Sequence, residues 1–116
     1  MTVNRKHNEQ MHLVNPGDDL AEQLGFTYLL FDGKLDIHMK DREIYLYYIR
    51  SLHPKEGHVR QLIERWVTDG WDVRVVMPNY IIQPLLESLG FVSGMEKLPR
   101  MYPKEGRKEV WHRPAD

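Results

Sequence analysis

The chain has 116 residues, 41% of them apolar and 28% charged, the composition of one globular domain rather than of a disordered segment. Sixteen Lys and Arg against seventeen Asp and Glu leave a net charge of -1, so bulk electrostatics argues against a nucleic-acid or membrane-surface partner. The absence of cysteine excludes disulfides, a thiolate nucleophile and thiolate metal sites. No apolar run approaches the roughly 18 residues that span a bilayer, and the polar N-terminus lacks a signal-peptide core, so the expected setting is a single cytoplasmic domain.

Residues 1–19 are mostly polar and carry the turn signal Asn15-Pro16-Gly17. They read as a loosely held arm with a short strand around Met11–Val14. Asp18 or Asp19 is placed to cap a short helix through Leu24, which Gly25 ends. Phe26 to Phe31 is aromatic and apolar and predicts a strand, and Asp32-Gly33 is the strongest hairpin signal in the chain. Lys34 to Met39 alternates with period two, with Leu35, Ile37 and Met39 on one side and Asp36 and His38 on the other. Lys40-Asp41-Arg42 predicts a second turn. Glu43 to Leu52 predicts the longest strand and carries Tyr45, Tyr47 and Tyr48. The three strands form an antiparallel meander.

The period then changes. After His53-Pro54-Lys55-Glu56-Gly57, apolar residues fall at Val59, Leu62, Ile63, Trp66 and Val67, which is one helix face. Gly70 ends that helix, and Trp71 to Met77 predicts a buried strand. A strand, a helix and a strand in series predict a parallel crossover. A second helix spans about Tyr80 to Leu89; Pro84 either lies in the first turn of a shorter helix or kinks a longer one. Phe91-Val92 and Met101 to Trp111 predict two closing strands. The order is β-β-β-α-β-α-β-β: an α/β domain with a mixed, mostly antiparallel sheet and helices on its faces.

This order creates one informative junction, between Leu52 and Val59. The first N–H groups of a helix have no internal partner and carry partial positive charge, which suits an anion. Gly57 lets backbone approach a phosphate closely, and Lys55 adds a point charge. His38, His53 and His58 lack the spacing of a helical metal site.

Residues Glu43 to Phe91 resemble the core of the GNAT superfamily of acyl-CoA-dependent N-acyltransferases. The family's central strand reads acidic-Ile-x-x-Leu-x-Val, here Glu43-Ile44-Tyr45-Leu46-Tyr47-Tyr48-Ile49. Its phosphate loop, Arg/Gln-x-x-Gly-x-Gly/Ala, corresponds to Pro54-Lys55-Glu56-Gly57-His58-Val59, with Leu62-Ile63 as the paired aliphatics that follow. Asn79 through Leu89-Gly90-Phe91 resembles the family's closing motif. Pro54 and Val59 depart from the loop pattern, and Leu86 stands where many members carry a tyrosine that protonates the leaving thiolate. The resemblance implies transfer of an acetyl group from acetyl-CoA to an amine, on a small molecule or a protein. It implies that Ile49, Ser51 and Leu52 meet the pantetheine arm. Lys55, Glu56, Gly57, His58, Val59 and Arg60 would cradle the diphosphate, and Asn79 would contact the cofactor. Glu43 and Tyr47 are the candidate catalytic residues, since the attacking amine must lose a proton.

Plainer readings stand beside these. Glu43 also reads as a solvated strand-end carboxylate, Asn79 as a helix cap, and the tyrosines as packed strand residues. Lys97 to Arg113 carries six basic and two acidic residues, a solvated surface or an attractor of acidic groups. The alternative function is a non-catalytic protein of the same fold that binds a macromolecular partner. Edge strands near both ends leave room for a homodimer.

Overall fold

The computed structural model describes residues 11–98 and 106–116. The alternating run gives strand β2 (Phe31–His38), which pairs antiparallel with the tyrosine-rich β3 (Glu43–Ser51) through a turn where Arg42 takes φ 54°. Strand β1 (Met11–Val14) adds to the outer edge of β2, antiparallel. From β3 the chain crosses through helix α2 (His58–Thr68), which follows the short α1 (Asp19–Gln23), into β4 (Asp72–Val76), parallel to β3. Helix α3 (Gln83–Ser88) leads to the hairpin of β5 (Val92–Glu96) and β6 (Lys108–Arg113). The strand order is β1-β2-β3-β4-β6-β5, and β3/β4 is the one parallel pair in this sheet. The domain is thus α/β with a mixed, mostly antiparallel sheet of six strands. Among the described residues, no helix is long and apolar enough to cross a membrane.

The helices pack on one face of the sheet. Ala21 of α1, Leu62, Ile63, Trp66 and Val67 of α2, and Leu86 of α3 share a core with Leu35, Ile37, Ile44, Leu46, Val73 and Val75. Burying one such side chain contributes on the order of 1.5–3 kcal/mol. The Trp66 indole donates to the Leu24 carbonyl (2.9 Å), which ties α2 to the end of α1. The opposite face has its own smaller cluster of Met11, Tyr45, Val76, Leu98 and Val110, with Tyr47 packed against it.

Three local expectations change. Phe26 to Leu30 is not a strand, and only Phe31 joins one, as the first residue of β2: after α1, Gly25 turns at φ 80°, the Phe26 amide bonds the Ala21 carbonyl, and residues 27–31 close a turn through Thr27. Phe26 is buried as a core anchor against Trp66, which accounts for its apolar signal. Asp32-Gly33 is not a hairpin but lies inside β2, opposite Arg50 and Ile49. A Cβ on Gly33 would stand 2.4 Å from the Tyr48 carbonyl oxygen and 2.8 Å from the Phe26 ring. Glycine is therefore there for close approach, not for a turn. The first strand of the meander is instead β1, the short strand expected at Met11–Val14.

Pro84 falls in the first turn of a shortened α3, where its missing N–H costs nothing. The strand predicted from Met101 begins at Lys108; residues 101–105 lie outside the described segments, as do residues 1–10 of the arm.

Candidate functional site

The parallel pair β3/β4 does not stay together. Its register runs Glu43↔Asp72, Ile44↔Val73, Tyr45↔Arg74, Leu46↔Val75, and then stops. Both strands have a reason to diverge there. On β3, Lys34 pairs with Tyr48 while Leu35 pairs with Leu46, so Tyr47 is the extra residue of a β-bulge. A bulge bends its strand, and β3 continues along β2 to Ser51. On β4, Val76 pairs with Val110 of β6, the Met77 amide bonds the Glu109 carbonyl (2.9 Å), and Met77 takes φ 44° before Pro78. Proline has no N–H with which to continue a ladder.

The gap holds a cleft of about 240 Å³ lined by Leu46, Tyr47, Ile49, Met77, Asn79 and Ile82 among others. One edge of β3 beyond Leu46 is taken by β2; the other faces this cleft.

Strand β3 then feeds the loop before α2. Lys55 and Gly57 both take φ 75°, the left-handed region. Gly57 is the N-cap and offers no side chain, so no side-chain bond caps the helix. The first intrahelical bond runs from Gln61 N–H to the Gly57 carbonyl (3.1 Å), which leaves the N–H groups of His58, Val59 and Arg60 at the open end of the helix. Glu56 lies between two imidazoles, 3.9 Å from His53 and 3.6 Å from His58. The Arg60 guanidinium reaches across to the Ser88 hydroxyl (2.7 Å).

The structure therefore brings Tyr47, Ile49 and Asn79 to the cleft and Lys55 through Arg60 to the loop beyond β3. Ser51 lies at the end of β3, where its hydroxyl accepts the His53 amide (3.2 Å). Leu52 is exposed and its amide bonds the Leu30 carbonyl (2.8 Å). Asn79 braces the turn ahead of α3: its side-chain oxygen accepts the amides of Ile81 and Ile82 (3.0 and 3.1 Å), while the N-cap of α3 itself is Ile82, with no side-chain cap bond.

Glu43 is elsewhere. It begins β3 in the sealed part of the pair, four residues and about 13 Å along the strand from Tyr47 at ~3.3 Å per residue. Its carboxylate pairs with the Arg74 guanidinium (3.2 Å), which also holds Glu96 (3.1 Å) and lies over the Tyr45 ring. Burial, and then the Glu43 charge, push the Tyr45 phenol up to about 12. Burial, and then Arg74, hold His112 below its ordinary value.

On the same face of β2, Asp36 is 0% exposed and accepts a hydrogen bond from the Tyr47 hydroxyl (2.5 Å). His38, Asp41 and Glu43 bring donor atoms within 4.8 Å of one another at the hairpin turn. However, His38 Nδ1 accepts the Asp41 amide (3.2 Å) and Arg74 neutralises Glu43, so the group reads as a hydrogen-bonded network rather than a coordination shell. No protein-family model, curated protein or solved structure matches the chain.

Sequence reasoning placed Asp36 on the side of β2 away from Leu35 and Ile37 without assigning it a role, and passed over Arg74, Met77 and Ile82. The signal for Asp36 was present: Tyr45 and Tyr47 occupy alternate β3 positions, and two bulky rings on that face imply that it is covered.

Proposed function

We propose that the chain is an acyl-CoA-dependent N-acyltransferase of the GNAT type that moves an acetyl group from acetyl-CoA to an amine. One observation carries this reading: the parallel strands β3 and β4 part after Leu46 and Val75 over a cleft, and β3 runs from that cleft into a glycine-bearing loop and a helix N-terminus. A pantetheine arm is an extended chain with two amides, which matches a strand edge with an open hydrogen-bonding side. A diphosphate matches unpaired amides at the start of α2 with Lys55 beside them.

In this reading the thioester reaches the bulge through the cleft. A neutral amine attacks its carbonyl directly, and no protein nucleophile is needed. Catalysis rests on positioning and on backbone N–H groups that stabilise the tetrahedral oxyanion. Of the two candidate catalytic residues, the geometry favours Tyr47, which lines the cleft, over Glu43, which Arg74 holds in the sealed part of the sheet.

A second reading, a non-catalytic protein of this fold that binds a macromolecule, draws on two observations. Leu86, at the position that the resemblance gives to the acid for the leaving thiolate, is an apolar residue with 0% exposure. Tyr80 and Ile81, near the cleft mouth, are 80% and 73% exposed.

Thermal denaturation with acetyl-CoA separates the two. Ligand at 100 times its dissociation constant adds about 2.7 kcal/mol, several degrees in Tm for a domain of this size. Absence of any shift at millimolar acetyl-CoA overturns the transferase reading. Gly57→Val should abolish the shift, because a branched side chain would enter the phosphate approach; at φ 75° it also strains the loop, so its ligand-free Tm is measured beside it.

A further inference from the structure

The two walls of the cleft differ in what they offer. The β3 wall carries the open strand edge that the pantetheine arm takes in the reading above. The facing wall, residues 77–82, is left for the second substrate. Met77 and Ile82 line it, and Tyr80 and Ile81 stand exposed between Asn79 and Ile82 at the mouth. Tyr48, across the cleft, also lines it and is exposed.

Among the described residues that line the cleft, none carries a charge; the polar side chains there are tyrosines and Asn79. The side-chain oxygen of Asn79 is occupied by the Ile81 and Ile82 amides. Two carboxylates touch lining tyrosines from outside. Asp36, at the Tyr47 hydroxyl, is 0% exposed and so beyond the reach of a solute. Asp32, 3.4 Å from the Tyr48 hydroxyl, faces Arg50 (3.6 Å) across the β2/β3 ladder. Glu43 lies against Arg74 in the sealed part of the sheet.

This lining discriminates between amines by charge. An alkyl amine with a pKa near that of lysine, about 10.4, is neutral in only about one molecule in 2,500 at pH 7. Its ammonium form would lose water on entering, and the lining has no carboxylate to offset that cost. An arylamine shares its lone pair with the ring and is unprotonated at neutral pH. Its ring suits the faces of Tyr48 and Tyr80 and the thioether of Met77.

We propose that the acceptor is an arylamine, seated between Tyr48 and the Met77–Ile82 wall. The proposal rests on the acyltransferase reading and names the substrate class of that site. The nitrogen lone pair forms the C–N bond while the carbonyl π pair moves onto oxygen. The arylammonium so formed is a far stronger acid than an alkylammonium, and it gives its proton to water at the open mouth. The oxyanion collapses, the C–S bond breaks with its electron pair on sulfur, and the thiolate takes a proton from water. An anilide and a free thiol result, with no net change in protons and no further reactant.

The test is release of free thiol from acetyl-CoA by the full chain, with 4-methoxyaniline, benzylamine, spermidine and a lysine-containing peptide as probes. Benzylamine keeps the ring and adds the charge. At pH 7 the kcat/KM for 4-methoxyaniline should exceed that of each other amine at least ten-fold. It should stay within two-fold from pH 7 to 8.5; a ten-fold climb would mean that a proton must still be removed, and overturns the proposal. Tyr80→Ala, at an exposed position, should raise the KM for 4-methoxyaniline at least five-fold and leave the acetyl-CoA thermal shift unchanged. Ile81→Glu should raise spermidine turnover at least five-fold by supplying the missing carboxylate. An unchanged KM in Tyr80→Ala together with unchanged spermidine turnover in Ile81→Glu overturns the proposal. Equal or faster wild-type turnover of spermidine or the lysine peptide also overturns it, and leaves the acyltransferase reading standing. A thermal shift without thiol release above the buffer rate for any amine overturns it and leaves a binding protein. No thermal shift at all removes the acyltransferase reading, and the arylamine with it.

Discussion

The two halves of β3 have the same neighbour on one side and opposite fates on the other. Glu43 to Leu46 is flanked by β2 and β4, with Ile44 and Leu46 sealed in the core below and Tyr45 clamped by Arg74 above. Tyr47 to Ser51 keeps β2 but loses β4, and its side chains become half-buried or exposed. A strand paired on both edges has spent its hydrogen-bonding groups on the fold. One paired on a single edge keeps a row of them for a ligand. The bulge at Tyr47 marks the change from one regime to the other.

The largest expected effect sharpens this contrast directly. Leu46→Ala, in the sealed half, should cost roughly 2–5 kcal/mol by chemical denaturation, while Ile49→Ala, beside the cleft, should cost about 1 kcal/mol. Equal losses would mean that the cleft is as tightly packed as the core.

Next comes the backbone of the open half, which survives only because Gly33 lets β2 approach it. Gly33→Ala should cost about 2–3 kcal/mol, since the new methyl would meet the Tyr48 carbonyl rather than a side chain that can move aside. Gly94→Ala on the edge strand β5, where nothing lies within 4 Å, is the control and should change stability by less than about 0.5 kcal/mol. Comparable urea midpoints for the two variants would break the argument.

The smallest effect probes the sealed half through pH. His112 lies opposite Arg74 in the β4/β6 ladder, and its folded-state pKa is held below the ordinary 6.5 by burial and by that charge. The unfolded chain therefore takes up a proton near pH 6.5 while the folded chain does not. Stability should fall as pH drops below 6.5, until the folded-state value is passed. His112→Gln should flatten that part of the stability curve, measured by urea unfolding from pH 7 downward. A slope unchanged by the substitution would assign the acid sensitivity elsewhere.

Much of the architecture was legible before any coordinates. Val59, Leu62, Ile63, Trp66 and Val67 predicted α2 to within a residue at each end, because a helix face repeats at a period that few other structures share. The parallel crossover from β3 to β4 follows from a helix between two strands. Phe26 and Asp32-Gly33 misled for one reason: local signals state that a residue is apolar or flexible, not what makes it so. Phe26 is apolar because it seats against Trp66, and Gly33 is bare because the Tyr48 carbonyl passes over it.

The candidate site divides in the same way. The loop from Lys55 to Arg60 could be read along the chain, since its residues are neighbours in sequence and a helix end is built locally. The cleft could not, because it is an absence of pairing, created where a bulge on β3 and a left-handed residue before Pro78 send two strands apart. Nor could the meeting of Asp36 with Tyr47, which depends on a register shift of one residue between β2 and β3. Periodicity and composition determined which segments are helix and which are strand, because those preferences are set within a few residues. Which strand edges stay open and which carboxylate is enclosed were decided by tertiary pairing, because one inserted residue changes the face and the partner of everything after it.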